Sequence, residues 1–188
     1  MPIEVTETFK AADRAAWRRW LEKHHDTKTE IWLVSDDRDD VPTCAYTDSV
    51  YEALCFGWID GIGKRINEVE KAQRFSPRRP KGNWTELNKQ RARFLIAEGL
   101  MTEAGRKTLP DLDAPFDVPD DILAAIRDDA DAWREFQTLP DLYVRVRVGY
   151  INEMKRGSED FEKRLSNFIA KTAAGKLFGN WNDGGRLA

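Results

Sequence analysis

The chain has 188 residues, enough for one domain or for one domain with a small helical appendix. Its 41% hydrophobic residues and seven tryptophans supply a core, while 34% charged residues and the lack of any span-length apolar run argue against membrane insertion. Net charge is −3 but unevenly placed: residues 64–93 hold 10 cations against 3 acids, and residues 111–141 hold 2 against 10.

Taken in order, Phe9, Ala12, Ala16, Trp17, Trp20 and Leu21 recur at helical spacing and predict a first helix over residues 10–24. His24 and His25 at its end point to different sides and have no third histidine to complete a metal site, so no metal is expected. Residues 29–34 (TEIWLV) form the clearest strand, and 35–40 a charged loop without the glycine and terminal glutamate of a calcium loop. Residues 47–56 predict a short helix, capped by Thr47, Asp48 or Ser49, with Ser49 and Glu52 in capping-box spacing. Gly57 suits a left-handed helix end, and Gly61 and Gly63 bracket a second bend. Residues 58–66 and 71–75 predict two short strands that join 31–34 in a small sheet.

Pro77 and Pro80 hold the following loop extended, and a helix begins near residues 83–85 and stops at Gly99. A brief helix opens at Thr102. Residues 111–119 (DLDAPFDVP) read as a linker, and the rest as helices over 119–126, 128–138, 141–155 and from Ser158 through Thr172. Residues 141–155 alternate like a strand through Tyr-Val-Arg-Val-Arg-Val, yet their length and apolar spacing favour helix. The tail FGNWNDGGRLA is expected to fray. The fold class is therefore α+β: residues 1–110 hold N-terminal helices on a small β-sheet, and residues 119–176 are helical, separate or compact with the first part.

Arg74, Arg78, Arg79 and Lys81 precede the helix that starts near Trp84, where unpaired amides attract anions and guanidinium forks suit phosphate or carboxylate. As a functional feature this is an anion cradle, with Trp58 and Trp84 as apolar walls, Ser76 in the loop, and Asp60 and Asn88 as orienting groups. As plain structure it is a solvated basic loop whose arginines pair with acids of the same chain, and that weighs more. There is no Ser-His-Asp set, P-loop, dinucleotide glycine motif or metal constellation, so no catalytic residue and no cofactor is expected. Cys44 and Cys55 form no CxxC, Cys55 reads as a buried small hydrophobe, and MPIEVTETFK lacks a leader pattern. The expected location is the cytoplasm.

These residues resemble the YdeI/OmpD-associated bacterial family. The resemblance rests on Glu30-Ile31-Trp32-Leu33-Val34, Ala53 through Gly61 (ALCFGWIDG), Arg74-Phe75-Ser76-Pro77-Arg78-Arg79, Trp84 with Asn88, and Gly99 through Gly105 (GLMTEAG). It continues in Val118-Pro119-Asp120-Asp121, Lys155 through Glu159 (KRGSE), and Lys163-Arg164. It implies a soluble, bacteriocin-protection-like protein with an α+β start and a helical end, and implies no particular reaction. The chain departs from the family at Ser35–Asp40, where a lysine-rich stretch is usual, at Gly82, where serine is usual, and at Asp160-Phe161, which lack the usual Thr-Arg pair. Three functions follow as expectations. The first is a binding module for a small anionic ligand linked to stress or bacteriocin tolerance. The second is an interaction protein, with nucleic acid disfavoured by a pI near 5.6. The third is an enzyme that uses Asp60 with the arginines.

Overall fold

In the computed structural model, which describes residues 4–187, the chain divides into two compact units. The first comprises residues 1–82 and 91–110, and the second residues 83–90 and 111–188. The first three positions of the MPIEVTETFK stretch, and the last position of the tail, lie outside the described residues. The class is α+β, with one four-stranded mixed sheet and the helices gathered toward the C-terminus.

The first unit is built on that sheet. Its strands are β1 (Thr8–Lys10), β2 (Ile31–Asp36), β3 (Trp58–Arg65) and β4 (Glu70–Pro77), in the order β1-β2-β4-β3. β1 runs parallel to β2, while β4 is antiparallel to both neighbours. Alternation divides the side chains between two faces. Phe75 and Trp58 meet α1 (Arg14–His24), which lies beside α2 (Tyr46–Cys55): Trp17 lies 5.3 Å from Phe75, and Trp20 meets Trp58 edge-on at 5.8 Å. The Trp17 indole N–H donates to the Ser49 carbonyl at 3.0 Å and so ties α1 to α2. Trp32, Val34 and Ala72 form a smaller buried cluster on the opposite face, with Val5 against it.

Two local expectations are corrected here. The first helix starts at Arg14 rather than residue 10, because Thr8–Lys10 is a strand and Asp13 caps the helix through the Ala16 N–H at 2.6 Å. Phe9 does reach the helix face, packing on Trp17 and Trp20, but from the neighbouring strand. The capping box of α2 does not form: Ala45 is the N-cap, and the Ser49 hydroxyl donates back to the Tyr46 carbonyl at 2.7 Å. Gly57 does end this segment, at φ +74°.

The remaining helices are α3 (Glu86–Ala97), α4 (Glu103–Arg106), α5 (Asp120–Arg127), α6 (Ala130–Phe136), α7 (Asp141–Asn152) and α8 (Glu159–Ala173). Thr102 caps α4, Asp129 caps α6 and Ser158 caps α8. The core of the second unit joins Ile122 and Ile126 of α5, Tyr143 and Val148 of α7, and Phe161 and Phe168 of α8. The tail is corrected as well. It packs instead of fraying: Trp181 meets Tyr143 edge-on at 5.5 Å, Phe178 lies 6.3 Å from the same ring, and Leu187 is buried. No helix among the described residues is long and apolar enough to cross a membrane.

Cys44 and Cys55 are free and buried. Burial disfavours the thiolate and pushes Cys44 up to about 12 and Cys55 up to about 11. Both thiols should resist a disulfide-exchange reagent in the folded chain at neutral pH and react once it is unfolded. The raised values also set a sign. The unfolded chain ionises these thiols above about pH 8.5 while the folded chain holds its protons. Stability should therefore fall as pH rises toward 11, as alkaline denaturation curves would register.

Candidate functional site

The residues expected to form the anion cradle have different fates. Trp58 is only 1% exposed, and its indole N–H donates to the His25 carbonyl at 3.1 Å, so it packs in the core and walls no opening. Arg74 stays on β4, where its Nε and Nη2 donate to one Glu30 carboxylate oxygen at 2.8 and 2.5 Å. The Thr6 hydroxyl and Arg74 together hold the Glu30 carboxyl below its ordinary range. Ser76 is half-buried on β4 opposite Ile59.

Arg78 turns inward, 8% exposed, and its backbone N–H donates to the Gly57 carbonyl at 2.9 Å. Burial pushes its guanidinium down to about 10, against the opposing pull of Asp60. Arg79 and Lys81 are exposed, and Lys81 holds a left-handed φ of 59°. Trp84 and Asn88 belong to the second unit. Trp84 is half-buried, and Asn88 is buried with its backbone N–H donating to the Thr85 hydroxyl at 3.2 Å, which makes Thr85 the cap of α3. Of the expected group, Asp60 and Arg78 are brought together.

Asp60 has a further partner that spacing did not suggest. The Tyr46 hydroxyl, at the start of α2, donates to Asp60 Oδ2 at 2.6 Å. Tyr46 is also the wall of a hollow of about 480 Å³ on the helix-bearing face of the sheet. Arg65 of β3 and Lys71 of β4 lie directly opposite each other in register and line it, together with Lys64, Ser35, Asp37 and Gln73. Among the described residues Asp37 is the one acid lining it: Lys71 Nζ donates to Oδ1 at 2.7 Å and Arg65 Nη2 to Oδ2 at 3.3 Å. Those cations, Lys71 first, hold the Asp37 carboxyl below its ordinary range. Two cations therefore share one carboxylate.

The floor of the hollow is fixed locally. β3 carries a register shift between Asp60 and Gly63, and the Gln73 amide donates across it to the Gly61 carbonyl at 2.7 Å. A side chain at Gly63 would stand 3.1 Å from Gln73 Oε1, so glycine there keeps the hollow open. Lys64, Arg65 and Lys71 were within reach of sequence reasoning as part of the basic run 64–93. What spacing could not show is the strand register that sets Arg65 against Lys71. Among the described residues no group of three or more His, Cys, Asp or Glu side chains is placed to hold a metal ion.

Residues 115–175 match the family described as Bacteriocin-protection, YdeI or OmpD-Associated, a span that includes Val118–Asp121 and Lys155–Glu159. Residues 9–108, just over half of the chain, match a family described as a domain of unknown function (DUF8412), and hold both FGWID and RFSPRR. No curated protein and no solved structure matches the chain. The chain belongs to the DUF8412 family through its N-terminal half and carries a YdeI/OmpD-associated, bacteriocin-protection domain in its C-terminal part.

Proposed function

We propose that the first unit is a binding module for a small anionic ligand, received in the hollow between Arg65, Lys71 and the Tyr46–Asp60 pair. The observation that carries this is the cation surplus in a concave site: Arg65 and Lys71 share the single carboxylate of Asp37. A phosphate or carboxylate entering there adds the second negative charge that two opposed cations can share. The Tyr46 hydroxyl and the Gln73 amide are already oriented by Asp60 and Gly61, so little side-chain freedom is lost on binding. The buried Arg78 guanidinium adds positive potential at Asp60. Stress or bacteriocin tolerance is the setting we propose for this binding, in the cytoplasm, where two free buried cysteines are at home.

The cations that line the hollow are largely exposed, so affinity should be modest and should weaken as ionic strength rises. Calorimetric titration with inorganic phosphate and with citrate checks this. The wild type should show saturable heat that shrinks with added sodium chloride, and Arg65→Ser/Lys71→Ser should lose about tenfold or more in affinity, the effect of one charged contact or two. Equal binding by this folded variant would remove the proposal.

A further inference from the structure

The second unit holds a separate hollow of about 210 Å³, between the first turn of α3, the α7 face bearing Val146, Arg147 and Tyr150, and Asn180 of the tail. Arg147 is its unusual member. The guanidinium carbon lies 4.1 Å from the centroid of the Phe178 ring and 5.4 Å from that of Tyr150. Gly179, at φ +72°, brings the tail backbone against the same group: a Cβ there would stand 2.6 Å from Arg147 Nη1. Among the described residues Arg147 has no hydrogen bond and no ion pair, and its Nε is buried without an acceptor.

A second cation sits close by. Arg164 stacks on the Tyr150 ring at 3.6 Å and donates to the Tyr150 carbonyl at 2.8 Å, and it has no carboxylate partner among the described residues. Burial holds the Arg147 guanidinium below its ordinary range, and Arg164 pushes in the same direction. Two acids also line the hollow, and both have partners other than Arg147. Glu86 receives Arg145 at 3.0 Å and Lys89 at 2.5 Å, and Glu153 accepts from the Asn83 amide at 3.3 Å. Burying part of a guanidinium without an acid or acceptor costs free energy that the ring contacts offset only in part.

We infer that this hollow binds a small carboxylate with an apolar body, its carboxylate on the Arg147 fork and its body against Tyr150, Val146 and Leu87. A planar guanidinium held against aromatic rings offers a fork for two parallel N–H···O bonds. The first-turn amides of α3, at Glu86 and Leu87, lack intrahelical acceptors and add positive potential at the same wall. This site is independent of the anion hollow in the first unit.

The test is a backbone amide chemical-shift titration of the full chain with sodium benzoate as the probe and benzamide as its uncharged counterpart. Benzoate should give saturable shifts at Leu87, Tyr150, Gly179 and Asn180, and benzamide should bind on the order of tenfold more weakly or not at all. Arg147→Gln should lose the response, and Arg147→Lys, which keeps the charge without the fork, should weaken it. Leu87→Trp fills the hollow while leaving Arg147 in place, so it decides the matter if Arg147→Gln fails to fold. Any of four results overturns the inference: no saturable benzoate shift in the wild type, an equal response to benzamide, shifts confined to the Arg65–Lys71 hollow, or undiminished binding by a folded Arg147→Gln or Leu87→Trp chain.

Discussion

Arg14→Ala/Arg18→Ala should destabilise the first unit by about 3–5 kcal/mol, the cost of leaving a buried charge without its partner. Glu52 on α2 has a side chain only 2% exposed, and Arg14 Nε and Arg18 Nη1, one turn apart on α1, reach its two oxygens at 2.5 and 2.7 Å. The three charges are unequal in their alternatives. The arginines are 35% and 28% exposed and can turn toward water, whereas Glu52 cannot. Glu52→Gln should therefore cost less than the double arginine variant. Each single arginine variant leaves one partner behind, so the double loss should exceed the sum of the two single losses. Denaturant unfolding followed by tryptophan fluorescence measures this, because Trp17, Trp20, Trp32 and Trp58 all lie in this unit. Additive single losses, or a more damaging Glu52→Gln, would show that the pairs are held as surface bridges are, at about 0–1 kcal/mol each.

Gly105→Ala pits two effects against each other. Gly105 lies inside α4, where alanine is the better helix former by about 1 kcal/mol. Packing opposes it. An added Cβ would fall on the Cys55 carbonyl and stand 2.5 Å from the Met101 sulfur, at the point where the Thr102 hydroxyl and N–H both donate to that same carbonyl. The end of α2 and the start of α4 share one acceptor, and the helix can approach it only at a residue without a side chain. Overpacking of backbone on backbone should win, for a net loss of about 2–3 kcal/mol. Gly99→Ala is the control: its φ of +68° strains any side chain, but no atom lies near, so its cost should stay near 1 kcal/mol. A neutral or stabilising Gly105→Ala in thermal melts would contradict this approach.

That contact also explains what the GLMTEAG stretch is for. Thr102 and Gly105 join α4 to the carbonyl at the end of ALC, immediately before FGWID, so both stretches serve the fold of the first unit before any ligand. Much of that fold was legible from residue patterns. Gly57 and Gly99 end their segments at positive φ, Ser158 caps the last helix, and residues 141–152 are helical despite the alternating valines. Helix won there because Tyr143, Val148 and Ile151 face one core at helical spacing. β1 was not legible, since three residues carry too little periodicity and Phe9 suits the face of either element. The tail was misjudged because its aromatic residues, Phe178 and Trp181, were outweighed by the flanking glycines and asparagines.

The candidate site was less legible than the fold, for a reason of register. Runs of like charge show in a sequence, but strand pairing decides which members meet. The Arg74 and Arg78 run looked like a single cradle. Alternation placed Arg74 opposite Trp32 and beside Glu30, and the chain beyond Pro77 turned Arg78 inward. The cations that do line a hollow, Arg65 and Lys71, are six residues apart and face each other only through the β3–β4 ladder. The register shift at Asp60–Gly63 that opens this hollow follows from glycines whose role as a bulge has no unique sequence signature.

Amide chemical-shift mapping of the chain during titration with inorganic phosphate most directly tests whether this hollow is an anion site. Saturable shifts should cluster at Gly63, Arg65, Lys71 and Gln73, extend to Tyr46, and fade as sodium chloride is added. A phosphate response that never saturates, or one that saturates while those five amides stay still, would contradict the assignment.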